Sequence, residues 1–218
     1  MKRIFRYLPL LLCIPFANAQ SSFDLNVGFG ANFDSTSGQG IDNANSTNAF
    51  GSCTPGSSDA YCVKTPALSG FFLGFGGAVM ATKKFGFGAD VAIMPATGNY
   101  AGLNYRQTFY DIDGIYAPVN EKKVILQLRG GIGGAKTGFS YTQSSCVGTA
   151  VCTSQSQAVG NANHFAVHAG VGVQIFVTEH IFIRPEFDFH YVPNLTQQFG
   201  SNMVPGAMVW VGYSMGDR

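Results

Sequence analysis

The sequence predicts an all-β chain, an eight-stranded antiparallel up-and-down transmembrane β-barrel with short turns at one end and long loops at the other. Apolar and polar or bare residues alternate with period two in segment after segment, the pattern of strands with one greasy and one wet face. The connections between these segments alternate between tight and long, as in membrane barrels. Charged residues make up only 11% of the 218 residues, with 28 Gly and 19 Phe, against roughly 25% charge in ordinary soluble domains. Much of this surface therefore meets something other than water.

The chain opens with Lys2, Arg3 and Arg6, a short apolar run broken by Pro9 and Pro15, and Ala17-Asn18-Ala19 before Gln20. This is the layout of a cleaved signal peptide over residues 1–19, leaving 20–218 as one barrel domain. The apolar run falls well short of the ~20 residues that a helical span requires, and no later run supplies them. Leu11 and Leu12 precede Cys13 where a lipoprotein signal carries small residues, so Cys13 is read as discarded with the leader.

In the first strand, residues 23–33, Phe23, Leu25, Val27, Phe29, Ala31 and Phe33 oppose Asp24, Asn26, Gly28, Gly30 and Asn32. A polar stretch over 34–66 follows, then Phe71, Leu73, Phe75, Gly77 and Val79 against Phe72, Gly74, Gly76 and Ala78. A tight turn at 81–84 leads to Phe85, Phe87, Ala89, Val91 and Ile93, backed by Gly86, Gly88, Asp90 and Ala92. After a modest loop over 95–104, Thr108, Tyr110, Ile112, Gly114 and Tyr116 oppose Gln107, Phe109, Asp111 and Asp113.

A turn over 118–123 precedes Val124, Leu126, Leu128, Gly130 and Ile132, which face away from Gln127, Arg129, Gly131 and Gly133. A long Ser- and Thr-rich loop centred on Cys146 and Cys152 comes next. The sixth strand then alternates Phe165, Val167, Ala169, Val171, Val173 and Ile175 against His164, Ala166, His168, Gly170, Gly172 and Gln174. Past a turn at 177–180, Ile181, Ile183, Pro185, Phe187, Phe189 and Tyr191 oppose Phe182, Arg184, Glu186, Asp188 and His190. After a loop over 193–202, the last strand carries Ala207, Val209, Val211, Tyr213 and Met215.

Tight connections follow strands two, four and six, which predicts short periplasmic turns, long extracellular loops and both termini in the periplasm. The expected location is the outer membrane of a Gram-negative-type bacterium. Closure is required because backbone groups in hydrocarbon must all be paired. Pro185 lacks a donor, so a bulge or a local gap in the ladder is expected there. A soluble barrel of the lipocalin kind inverts the same alternation. It would put seven charged residues outside and pack every Phe and Val row into too narrow an interior.

Cys53 with Cys62 and Cys146 with Cys152 each fall within one polar segment. In an oxidising compartment two intraloop disulfides are the expected state. Zinc is the alternative, but neither loop holds a tight C-x-x-C pair or a His. With a net charge of +1 there is no basic field for nucleic acid.

Enclosed charges need partners, since isolated ones cost several kcal/mol. Asp90, Asp111, Asp113, Arg129, Arg184, Glu186 and Asp188 supply both signs and are expected to form an interior salt-bridge network with a structural role. His164 and His168 share a face, but four residues at ~3.4 Å each separate them by roughly 13 Å, too far to share a metal. His168 or His190 is a candidate for a membrane hydrolase site, but the chain has no His-x-Ser pair. Gly28-Phe29-Gly30 and Gly86-Phe87-Gly88 lack the helix and the Gly-Lys-Ser/Thr of a phosphate loop. Tyr105, Tyr116, Tyr191 and Tyr213 suit interfacial girdles. Asn45-Ser46-Thr47 and Asn194-Leu195-Thr196 match the glycosylation pattern but are read as ordinary loop residues in a bacterial envelope.

The segment Ile181-Phe182-Ile183-Arg184-Pro185-Glu186-Phe187, followed by Phe189-His190-Tyr191, together with the leader and the hairpin layout, resembles the small outer-membrane barrel family of the OmpA/OmpX and opacity-protein type. The resemblance spans the mature chain and implies a barrel whose members differ mostly in their loops. One departure concerns the last strand, which in that family finishes on an aromatic residue resembling an assembly signal. Here Tyr213 is followed by Ser214, Met215, Gly216, Asp217 and Arg218, which leaves the strand end and the insertion signal open.

The function expected is a non-enzymatic barrel whose disulfide-tied loops present a contact surface, since binding usually resides on loops over a rigid scaffold. The alternatives are a minor porin or small hydrophobic-solute channel, and a lipid-modifying enzyme. No cofactor or metal is expected. The expected partners are outer-membrane lipid and lipopolysaccharide, the barrel-assembly machinery during insertion, and a surface ligand of unknown identity.

Overall fold

The computed structural model describes residues 22–33, 70–100, 103–147, 151–193 and 202–216. The leader with Cys13, the segment carrying Asn45-Ser46-Thr47, Cys53 and Cys62, and Asn194-Leu195-Thr196 lie outside the described residues. The strands are β1 (Ser22–Asn32), β2 (Gly70–Met80), β3 (Phe85–Ile93), β4 (Gly98–Tyr100), β5 (Leu103–Asn120), β6 (Val124–Val147), β7 (Val151–Phe176), β8 (Ile181–Tyr191) and β9 (Met203–Met215).

Every neighbouring pair is antiparallel, and the order β3-β2-β1-β9-β8-β7-β6-β5 closes on itself through a β3–β5 ladder. Eight strands thus form a ring without an edge, the condition for crossing hydrocarbon with strands. The three-residue β4 continues along β5 where β3 leaves it, pairing Gly98 with Tyr105. It lies inside the segment expected to be loop, and three residues are too few for an alternation to show.

The wall is built inside out. Phe87 and Ile112 are each 68% exposed, and Phe29, Phe75, Phe165 and Phe187 are exposed with them, whereas Arg184 is 0% exposed. In water that apolar surface would cost roughly 25 cal/mol per Å². Against acyl chains it costs nothing, so the wall suits hydrocarbon. β1, β2, β3 and β8 have 11, 11, 9 and 11 residues, the length of a tilted membrane-crossing strand.

Two strands outrun the membrane. β6 has 24 residues and β7 has 26. Pairing of β6 with β5 ends at Asn104↔Ser140, and pairing of β7 with β8 ends at Val167↔Tyr191. Beyond these points the two strands pair with each other as far as Val147↔Val151, with one extra residue at Val159. The loop expected around Cys146 and Cys152 is therefore a projecting β-hairpin. Residues 153–161 are exposed one after another, so no apolar alternation announces the ladder.

The turn expected over 118–123 also shortens. β5 runs on to Asn120 through a one-residue bulge between Tyr116 and Val119, which accommodates Pro118. At Pro185 the outcome is a gap rather than a bulge. The β7–β8 ladder is interrupted between Gly172↔Glu186 and Ile175↔Ile183 with the register unchanged, while Pro185 pairs with Val209 of β9 on its other side. The last strand ends at Met215, before Gly216 with a φ of 114°.

Candidate functional site: barrel interior and external hairpin

The even-numbered rows of β3, β8 and β9 and the odd-numbered rows of β5 and β6 converge on the barrel axis. Arg129 stands at the centre. Its guanidinium meets Asp90, lies 3.2 Å from Asp113 Oδ2 and 3.5 Å from Glu186 Oε2. Arg184 Nε lies 2.9 Å from the same Glu186 oxygen, and its guanidinium carbon sits 5.3 Å from the Trp210 ring centroid. Trp210 Nε1 donates to Glu186 Oε1 at 3.0 Å. Glu186 is thus held by two guanidiniums and an indole, the kind of multiple pairing that a buried carboxylate needs.

A second chain of contacts runs through the histidines. His168 places Nδ1 2.8 Å from Asp113 Oδ1 and Nε2 3.2 Å from Asp188 Oδ1, so its ring bridges two carboxylates. His190 Nε2 lies 2.9 Å from Asp111 Oδ2, and its ring stacks on His168 at 4.7 Å and meets a tilted Phe109 at 4.5 Å. Towards the periplasm, Arg184 Nη1 donates to Gln127 Oε1 at 3.4 Å, Gln127 Nε2 to Gln174 Oε1 at 2.5 Å, and Gln174 Nε2 to Asp24 Oδ2 at 3.1 Å.

All seven charged residues named from the sequence thus meet in one layer. Sequence reasoning did not single out Asp24, Gln127, Gln174 or Trp210 as members. Their position on the inward-facing row of each strand is the signal that could have found them.

Apolar side chains cover this layer above and below. Phe72, Met94, Tyr105, Phe109, Val204 and Met208 pack on the external side, and Met80, Ile115, Ile125, Phe176 and Phe182 on the periplasmic side, so Tyr105 turns inward and is not part of the girdle expected from the sequence. Between them remains a cavity of about 20 Å³ bordered by Asp90, Asp111, Glu186, Asp188, His190 and Trp210, room for about one water molecule. Among the described residues this stretch of the interior is filled by side chains. Among the described residues, the hydrogen-bonding partners of His168 and His190 are carboxylates.

Outside the membrane, the register sets Cys146 directly opposite Cys152. Opposed Cα atoms in an antiparallel ladder are about 4.5–5.5 Å apart, inside the window that a disulfide spans. Cys53 and Cys62 fall outside the described residues.

A closed antiparallel ring with apolar rows outside and an ionic layer enclosed defines an integral outer-membrane β-barrel protein, seated in a Gram-negative-type outer membrane. Solved structures share this fold. OprG from Pseudomonas aeruginosa is similar with 14% identity and a TM-score of 0.51, covering 92% of this chain and 98% of its own. Ail of Yersinia pestis, in complex with the heparin analogue sucrose octasulfate, matches with 11% identity and a TM-score of 0.51 over 90% of this chain and 99% of its own. A major outer membrane protein from Thermus thermophilus gives 11% identity and a TM-score of 0.51 over 89% and 99%. At these identities the likeness is one of fold. No protein-family model and no curated protein sequence matches the chain.

Proposed function

We propose that this protein is a non-conducting, non-enzymatic membrane anchor that carries the β6–β7 hairpin outside the cell as a contact surface. The observation supporting this reading is the hairpin itself. Beyond Ser140 on β6 and Val167 on β7 it continues as a two-stranded ladder, with residues 153–161 exposed on both faces. An isolated two-stranded ribbon is marginally stable in water, so one held out this far has a role beyond closing the barrel. Residues 137–163 include no Asp, Glu, Lys or Arg. The hairpin therefore recognises its partner through hydroxyl, amide and backbone groups, and a sulfated partner like the one seen with Ail gains no cation from it. A bridge between Cys146 and Cys152 staples its tip.

Replacing residues 141–157 by a two-residue turn tests the reading on cells displaying the protein. Attachment to host-cell and extracellular-matrix surfaces is lost with the hairpin, while the barrel still shows a heat-modifiable gel shift. Equal attachment by the full and shortened chains contradicts it.

A further inference from the structure

The periplasmic turns β2–β3 and β5–β6 sit side by side because β3 pairs with β5, and together they carry Lys83, Lys84, Lys122 and Lys123 against a single acid, Glu121. Asn120 Nδ2 donates to the Lys83 carbonyl at 2.6 Å and Ala117 N to the Lys84 carbonyl at 2.8 Å, tying the two turns into one rim sector. Immediately above the lysines, Phe85 and Tyr116 are cross-strand partners that face outward and stack at 5.1 Å. Aromatic pairs of this kind mark the boundary between acyl chains and headgroups. The lysines therefore sit at headgroup depth, with aliphatic stems that can lie along the apolar wall and ammonium groups that reach water.

The third turn has the same local hydrogen bonding without these charges. Thr82 Oγ1 accepts from the amides of Lys84 at 3.2 Å and Phe85 at 3.0 Å. Thr178 Oγ1 accepts from those of His180 at 3.3 Å and Ile181 at 2.9 Å. The two turns are built alike, yet Glu179 and His180 occupy the positions of Lys83 and Lys84.

We propose that this lysine sector is a binding site for anionic phospholipid headgroups of the periplasmic leaflet. Four cations on two linked turns engage phosphate, and the adjoining Phe85, Tyr116, Val119 and Val124, all exposed, receive the acyl chains of the same lipid. The outward placement at headgroup depth favours lipid over a polymer of the periplasm.

The mature protein, reconstituted in phosphatidylcholine vesicles, is tested with spin-labelled phosphatidylglycerol and spin-labelled phosphatidylcholine, reading the motionally restricted fraction by electron paramagnetic resonance. Phosphatidylglycerol is enriched at the barrel, by about fivefold for each lysine that engages a phosphate, and the preference falls with salt. It disappears when Lys83, Lys84, Lys122 and Lys123 are all changed to Gln and persists when all four are changed to Arg. It also persists in Arg106→Gln with Lys136→Gln at the external rim. A gel shift on heating confirms that each variant is folded. Equal restriction of the two lipids, or a preference that survives the four Gln changes, overturns the proposal. So does cosedimentation with peptidoglycan that is lost in the Gln variant without any lipid preference.

Discussion

Asp90 stands directly opposite Asp111 where β3 pairs with β5, and both carboxylates point into the barrel. Like charges in register repel, so the pair persists only because Arg129 meets Asp90 and His190 meets Asp111. Arg129→Met leaves Asp90, Asp113 and Glu186 without their shared cation. A loss of about 3–5 kcal/mol is expected in urea unfolding of the reconstituted barrel. Asp90→Asn in the Arg129→Met background recovers part of it, because one unpaired charge is removed along with its partner. A loss below about 1 kcal/mol in the single variant contradicts the assignment of Arg129 as the hub.

Trp210 lies against backbone that has no side chains. A Cβ at Gly28 would stand 2.7 Å from Trp210 Cδ2, and one at Gly74 2.6 Å from Cζ3. Gly28→Val therefore displaces the indole from Glu186 and Arg184, with a loss of about 1–3 kcal/mol typical of overpacking. Trp210 is the one tryptophan of the chain, so its emission reports the displacement as a spectral shift. An unchanged spectrum and stability would show that the ring does not occupy this cradle.

With apolar layers on both sides of the ionic one, planar bilayers containing the purified protein are expected to show no discrete openings. Stepwise conductance that changes on altering Arg129 or Arg184 would favour the channel reading instead.

The opposed Cys146 and Cys152 are expected to be oxidised in exported protein, seen as a 146–152 crosslink in non-reducing peptide maps. Reduction speeds protease cleavage within residues 141–157 and leaves the heat-modifiable shift intact, because the closed ring does not depend on the tip. Free thiols at both positions in protein taken from the envelope contradict this.

Where one face of a strand meets lipid and the other a polar core, sequence alone discloses the structure. Phe85 to Ile93 reads as β3 residue for residue, and Ile181 to Tyr191 as β8, because a slip of one position would turn Arg184 and Glu186 towards acyl chains. The hairpin beyond Ser140 did not disclose itself, since water on both faces imposes no pattern on Ser, Thr and Gln. Within the interior, alternation assigns residues to the inward row but not to partners. That Trp210 reaches Glu186, or that Gln174 links Gln127 to Asp24, depends on the stagger between strands far apart in sequence. The end of the last strand was likewise open until its register with β1, Phe23↔Met215, fixed it.

The central claim is that the barrel turns its apolar rows to lipid and encloses its charges, and spin labels placed singly at Phe87, Ile112 and Phe165 in the bilayer-reconstituted protein test it most directly. High collision rates with oxygen and low rates with a water-soluble nickel chelate are expected at all three positions, rising towards the bilayer centre for oxygen. Labels that collide with the chelate and are shielded from oxygen would place these residues in water and contradict the claim.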